Sequence, residues 1–369
     1  VFFMEQMPYQ IQTYFLEIKK ADLKDLRKDI WSDIPVPACL QVGNTRYNVE
    51  ICYRGSYTRE FRKKSYMIKF MEPKTVSDAH ILHLNAEYRD PSLFRNKLSL
   101  DFFQDIGVLS PDSQHINLVR NGSLKGVYLK LESVDEMFLK RRGLPLGPIF
   151  YAVGSGANFS LYKKNGKRKA SLTSGYQKAF GNESDYKYLI ELVKKVNNTP
   201  LSDFPRIIFN LIDTKKYAQW LAGAVCTMNN DGFTHNYALY RNSNTEQFEI
   251  IPWDYDGTWG RKISGSIMKY NYVPIGGKET NQLSFLLLQV PEFRKLYRNI
   301  LEELLETKFT VPYLTNKVTS MHQALRPHIL QDPFKKKDIE IFDGEPEVIF
   351  QFIRDRTAYL KKRLKYLNS

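Results

Sequence analysis

Asn229-Asn230-Asp231-Gly232-Phe233-Thr234-His235-Asn236-Tyr237-Ala238-Leu239-Tyr240-Arg241, and after a polar break Phe248-Glu249-Ile250-Ile251-Pro252-Trp253-Asp254-Tyr255-Asp256-Gly257, set the terms for the rest of this chain. The alternating segments Tyr237 to Arg241 and Gln247 to Ile251, around Asn242-Ser243-Asn244, predict a β-hairpin. Such a hairpin returns Asp254 beside Asp231 and Asn236, which are themselves separated by only four residues. Two carboxylates and a carboxamide oxygen are hard donors. They suit Mg²⁺ holding a triphosphate, with one carboxylate left over as a base. The plain alternative is that Asp231 and Asn236 cap helices or close Asx-turns, as most loop Asp and Asn residues do.

An Asp and an Asn at that spacing recur by chance in a chain of this length, so the context carries the signal. Before the pair, Trp220, Leu221, Ala224, Val225 and Met228 lie at helical spacing on a segment opening at Asp213. After it comes the hairpin, closed by Pro-Trp-Asp-Tyr-Asp-Gly. Asp-x-x-x-x-Asn, hairpin, Asp is also the order of the phosphoryl-transfer core of protein kinases.

Composition narrows the class. With 369 residues, 43% hydrophobic and 14% aromatic, the chain suits one large domain or two lobes with ample core. The apolar opening Val1-Phe2-Phe3-Met4 has no basic flank and no long apolar core, so it does not read as a signal peptide, and no run approaches membrane-spanning length. Cys39, Cys52 and Cys226 lack paired spacing and read as reduced core residues of a cytosolic protein. The six histidines form no ligand set for zinc. The net charge of +14 gathers at Arg59/Arg62/Lys63/Lys64, Lys140/Arg141/Arg142, Lys163/Lys164/Lys167/Arg168/Lys169 and Lys335/Lys336/Lys337. Each run is ordinarily a solvated face; the functional readings are a nucleotide phosphate, an anionic partner or nucleic acid. No dedicated DNA or RNA module is visible, which argues against the last.

The N-terminal third reads as β-rich. Tyr9 to Ile18 opens as a strand, Asp22 to Trp31 follows as a helix, and Cys39 to Val42 with Thr45 to Tyr53 around Gly43-Asn44 is a hairpin. In Lys64-Ser65-Tyr66-Met67-Ile68-Lys69-Phe70, period two places Lys64 on the apolar face and Lys63 on the wetter one. If one lysine here holds a nucleotide phosphate, parity selects Lys64. Ile81 to Ala86 is a strand, and Asp90-Pro91 reads as the start of a helix running to Gly107 with Leu93, Leu98, Phe102 and Ile106 on one face. His115 to Val119 and Gly126 to Glu132 form a second hairpin leading into a helix from Ser133 to Arg142, the candidate hinge. Pro148 to Ala152 and Phe159 to Tyr162 flank Gly154-Ser155-Gly156, a weak phosphate-loop signal. From Ser184 onward the pattern is helical, ending in a last helix started by Pro346 behind Gly344.

These residues carry a resemblance. Tyr53-Arg54-Gly55-Ser56, Lys63-Lys64-Ser65-Tyr66, Leu84-Asn85-Ala86-Glu87 with Asp90-Pro91-Ser92-Leu93-Phe94-Arg95-Asn96, Gly126 to Glu132, Asn230-Asp231-Gly232 with His235-Asn236-Tyr237, and Pro252-Trp253-Asp254-Tyr255-Asp256 together resemble the CotH spore coat kinases of endospore-forming bacteria. The likeness runs through nearly the whole chain. It implies an α+β, two-lobed atypical protein kinase-like fold: a β-rich nucleotide-binding lobe over 1–133, a mainly helical catalytic lobe over 134–369, and ATP with Mg²⁺ between them. It implies phosphorylation of serines on basic, serine-rich spore coat proteins, with synthesis in the mother-cell cytoplasm and a place in the spore coat. By the family pattern Asp231 matches the catalytic aspartate, Asn236 and Asp254 the metal ligands, and Lys64 the phosphate-anchoring lysine. Asp256 is a further candidate for the metal, and Tyr151 and Trp253 for stacking on adenine.

The departures from ordinary kinases are informative. No His-Arg precedes Asp231, no Gly-x-Gly-x-x-Gly loop lies near the first strands, and the helix to Gly107 has no glutamate, leaving Asp101 or Glu87 as partner for Lys64. Competing readings are a small-molecule phosphotransferase and a non-catalytic coat scaffold on a kinase fold.

Overall fold

Strand and helix patterning of this kind should yield a mixed architecture, and the computed structural model is α+β. It describes residues 9–71, 75–163 and 165–368; the apolar opening of the chain and Lys164 lie outside the described residues. In chain order the elements are β1 (Gln12–Glu17), α1 (Lys20–Lys28), β2 (Val36–Val42), β3 (Thr45–Tyr53), β4 (Tyr66–Phe70), β5 (Ile81–Asn85), α2 (Arg95–Asp105), β6 (Ser113–Arg120), β7 (Ser123–Glu132) and α3 (Glu136–Arg141). Then come β8 (Ile149–Ala152), β9 (Tyr176–Phe180), α4 (Tyr186–Asn198), α5 (Phe204–Ile208), α6 (Thr214–Thr227), β10 (Tyr237–Arg241), β11 (Phe248–Pro252), α7 (Gln282–Leu287), α8 (Pro291–Glu306), α9 (Val311–Ile329) and α10 (Ile339–Arg363).

The described residues form two compact units. One takes the chain up to Lys97 together with Asp112–Ser133 and Thr315–Val348; the other takes Leu98–Pro111, Val134–Leu314 and the chain from Ile349. A single cut after Ser133 therefore does not describe them, because 98–111 and 315–348 each fall on the other side of it.

In the first unit, β1-β2-β3-β4-β5-β7-β6 close into a barrel, with β6 returning to β1 in parallel and every other pair antiparallel. Closure leaves no edge strand to aggregate. Period-two alternation fills the interior: Leu16, Leu40, Ile51, Ile68, Leu84 and Ile116 are all inaccessible to solvent. In β4 the alternation holds from Tyr66 onward, Tyr66, Ile68 and Phe70 being buried and Lys69 exposed.

It does not extend back to the lysines. Lys63 lies outside the strand and is buried, donating to Asp332 Oδ2 at 2.9 Å and to the Val127 carbonyl. The parity that placed Lys63 on the wetter face fails because the extended backbone starts two residues after Lys64.

The same unit buries further charge. Arg95 pairs with Asp90 at 2.7 Å and with Glu345 at 2.6 Å, and Lys335 donates to the carbonyls of Tyr88 and Asp90. Asp90 does not open the helix as expected. Its carboxylate accepts from the backbone N–H of Ser92 and Arg95, 2.9 Å each, so α2 begins only at Arg95. Pro346 likewise sits inside α10, not in its first turn. Phe342 stacked on His322, and Glu345 paired with Arg95, hold the turns ahead of the proline.

The second unit carries the antiparallel sheet β11-β10-β8-β9 and most of the helices. β10 pairs β11 in the register Tyr237↔Pro252 to Arg241↔Phe248, the hairpin expected from the alternation. β8 takes β9 as its neighbour, and an isolated bridge joins Tyr162 to Arg168.

Candidate functional site

α6 delivers the site. Asp213 caps it by accepting from the Lys216 N–H at 2.9 Å, and its second half is buried on every face. At Gly223 a Cβ would come within 2.4 Å of the Phe103 ring, so close packing of the helix requires glycine there. Met228 ends the helix in the left-handed region, φ +60°, with its N–H on the Ala224 carbonyl.

The next residues form an Asx-turn. The Asn229 carboxamide oxygen accepts from the N–H of Asp231 and of Gly232, both at 3.0 Å. Asn230 Nδ2 donates to Asp231 Oδ1 at 3.0 Å, and the Asp231 carbonyl accepts from Thr234 and His235. Asp231 is thus held by its neighbours at one carboxylate oxygen and at both ends of its backbone.

Asn236 then enters the hairpin with φ +61°, its N–H on the Ala152 carbonyl of β8 and its carbonyl accepting from Trp253. Across the hairpin mouth Asp254 also has φ +58°. Asn236 Nδ2 donates to the Asp254 carbonyl at 3.2 Å, so the two residues meet as the sequence predicts. Left-handed backbone at a non-glycine residue is strained, least so for Asn and Asp, and such positions collect at functional sites.

That contact decides which atoms remain open. The amide nitrogen of Asn236 is spent on backbone, leaving Oδ1 as an acceptor. Among the described residues, no hydrogen bond or ion pair occupies Oδ1 or the Asp254 carboxylate. An unengaged carboxamide oxygen and an unengaged carboxylate on two residues that touch are donor types that suit a hard divalent cation such as Mg²⁺. Among the described residues, no three His, Cys, Asp or Glu side chains gather into a metal cluster.

Tyr255, between Asp254 and Asp256, points into the core. Its hydroxyl accepts from Trp220 Nε1 at 3.1 Å, its ring meets Phe103 edge-on at 5.0 Å, and burial pushes its phenol well up. Its carbonyl takes the Thr258 hydroxyl at 2.8 Å. Asp254 and Asp256 flank this anchor in sequence, and Asp256 is partly exposed.

Tyr151 and Trp253 pack on each other, ring centres 4.8 Å apart at 65°; Trp253 is 8% exposed, and the Tyr151 hydroxyl accepts from the Val134 N–H at 2.6 Å. In the barrel unit Lys64 is partly exposed and donates to the Arg59 carbonyl, 5.9 Å from the Tyr53 ring centre. Partial burial lowers its pKa and Glu60 opposes the shift. Glu87, one of the two carboxylates considered as its partner, accepts instead from Asn96 Nδ2 and lends its field to Lys63 and Lys335.

Two supporting residues escaped the sequence reading. Asn229 was recoverable, since Asn-Asn-Asp-Gly is an Asx-turn signature. Arg356 was not. Fully buried on α10, it donates to the carbonyls of Val225, Tyr270 and Val273 at 2.7–3.0 Å, holding the end of α6 and the loop after Asp256.

The fold and the site define an α+β protein whose hairpin mouth presents open oxygen donors. The family model described as CotH kinase protein matches residues 51–360, and the chain belongs to that family. It is 50% identical to the inner spore coat protein H of Bacillus subtilis, over 96% of this chain and 98% of that protein. It is 26% identical to an inner spore coat protein H-like protein of the same organism, over 83% and 87%. Among solved structures, the Shewanella oneidensis HipA–HipB–operator DNA complex has a chain that matches with TM-score 0.40 and 13% identity, covering 100% of this chain and 75% of that one, a likeness too slight to build on.

Proposed function

We propose that this chain is an ATP- and Mg²⁺-dependent protein kinase that phosphorylates serine residues of spore coat proteins. Membership of a kinase family supports the reaction class, and near-full-length similarity to a protein named for the inner spore coat supports the setting. On this reading it is made in the mother-cell cytoplasm and acts in coat assembly on basic, serine-rich partners.

The observation that carries the reading is the open pair at the hairpin mouth. Asn236 and Asp254 meet through the Asn236 Nδ2 to Asp254 carbonyl bond, both have left-handed backbone, and neither Asn236 Oδ1 nor the Asp254 carboxylate is engaged by protein donors among the described residues. They would hold Mg²⁺, with Asp256 as a further ligand. Bound Mg²⁺-ATP supplies the phosphoryl group and neutralises charge on it. Asp231 does the proton work: Asn230 holds Oδ1, so Oδ2 is the atom that orients a serine hydroxyl and accepts its proton. Lys64 would steady the nucleotide phosphates, and Tyr151 with Trp253 would border the base. Catalysis is then positioning and charge stabilisation.

The test is incubation with Mg²⁺ and γ-labelled ATP beside a serine-rich basic protein. Asp231→Ala and Asp254→Ala should each lower transfer by about a thousandfold while the fold survives. Full labelling with either variant sinks the assignment.

A further inference from the structure

The loop that follows Asp256 and the end of α10 carry exposed positive charge. Among the described residues Lys262, Lys269, Arg363 and Lys365 have no carboxylate within salt-bridge reach. Several of the cations here lie against rings instead. Lys262 Nζ lies 5.6 Å and Lys278 Nζ 4.6 Å from the Tyr272 ring centre, and the Arg363 guanidinium lies 5.3 Å from Tyr359 and 5.4 Å from Tyr366. Tyr270 joins the two groups by meeting Tyr359 at 6.0 Å. Tyr272 and Tyr366 are 46% and 55% exposed.

This surface is preformed. Arg356 fastens its backbone at Tyr270 and Val273, and Met268 donates to the Gly260 carbonyl at 2.8 Å. A tyrosine face that already carries a cation is poorly placed to stack on a base. It does hold an ammonium or guanidinium group in place, which lowers the ordering cost of binding a point anion. Closely set cations favour dense charge, and a phosphoserine carries about −1.5 to −2 where a carboxylate carries one unit. The same loop begins at the proposed metal-holding residues.

We propose that the ring-and-cation surface of Lys262, Tyr272, Lys278 and Arg363 docks a phosphoserine-bearing polypeptide, the product of the reaction proposed above. A modified chain then stays bound while its further serines are offered to Asp231. The identity of the ligand as product rests on the kinase reading; the recognition of phosphoserine does not.

The experiment is fluorescence anisotropy on the full-length protein. The probes are a labelled serine-rich peptide bearing several phosphoserines, its unphosphorylated twin, and single-stranded oligodeoxythymidine. The phosphopeptide should bind at least about tenfold tighter than its twin. Lys262→Glu and Arg363→Glu, both at exposed positions, should each remove about tenfold of that affinity with melting unchanged. Asp254→Ala should leave it intact. Equal affinity for the two peptides, or unaltered binding in both charge-reversal variants, overturns the proposal, and a tighter grip on the oligonucleotide overturns it in favour of nucleic acid. Selective phosphopeptide binding by a protein that transfers no label would instead refute the kinase reading and leave a phosphopeptide-binding surface.

Discussion

Asn236 does two things at once, and a pair of substitutions separates them. Its left-handed backbone lets the hairpin turn back beside Asp254, and its carboxamide oxygen is the proposed ligand. Asn236→Gly keeps the first and removes the second; Asn236→Ala removes both and adds about 1–2 kcal/mol of strain. Calorimetry should therefore show the alanine variant melting well below the glycine variant, while both lose phosphotransfer alike. Glycine-variant activity near wild type would show that the oxygen is not a ligand. His115 offers a second test at this scale. It is wholly buried, with Nε2 on the Leu93 carbonyl at 2.8 Å and Nδ1 2.6 Å from the Tyr9 hydroxyl, and burial pulls its pKa from 6.5 down to about 3. The unfolded chain takes up the proton first, so the contribution of His115 to stability is fully present above pH 6.5 and fades as pH falls toward 3. Denaturant titrations should lose up to about 1.4 kcal/mol per pH unit across that window, and His115→Gln should flatten the slope. That residues Asn236 and Asp254 would meet was legible at this scale, because hairpin register is local. The core role of Tyr255 was not, since it depends on Phe103 and Trp220, both remote in sequence.

At the scale of elements, the turn of β7 explains why one motif reads as it does. Gly126 has φ +83°, and a Cβ there would lie 1.9 Å from Asp332 Oδ2. That carboxylate also accepts from the Val127 N–H and from Lys63, both at 2.9 Å. The glycine is thus the notch through which a buried ion pair reaches the strand. Burial pulls the Lys63 ammonium down to about 8 against the opposing pull of Asp332, so the charge is tolerated only because its partner is present. Asp332→Ala, which strands that charge, should cost about 3–5 kcal/mol, and Lys63→Met combined with Asp332→Leu should recover most of it. A double-mutant cycle by chemical denaturation checks this; additive losses would show that the pair does not couple. Strand existence, the hairpins and the barrel's alternating faces were readable because each rests on period two within a few residues. The position of Lys63 was not, because it depends on where the extended backbone starts and on a residue 269 positions away.

For the whole molecule, composition and patterning foretold a β-rich part and a helical part, yet not how the chain divides between them. The chain leaves the barrel unit after Lys97, returns at Asp112, leaves again after Ser133 and comes back for Thr315–Val348. No periodicity marks such a return, since the groups that bind it are single charged side chains scattered along the sequence. Those groups decide what a truncation does. Residues 315–348 bring Asp332 to Lys63, Glu345 to Arg95, and Lys335 to the Tyr88 and Asp90 carbonyls, all at buried positions. A fragment of residues 1–133 keeps the seven barrel strands but leaves Lys63 without a carboxylate and Arg95 with only one of its two. An uncompensated buried cation costs several kcal/mol, about the whole stability margin of a small domain. The fragment should therefore fail to fold, giving a collapsed amide spectrum by NMR, whereas joining 315–348 to it through a flexible linker should restore dispersion. A well-dispersed spectrum from 1–133 alone would show that the barrel carries its own stability and that the buried charges are ornaments of the full chain.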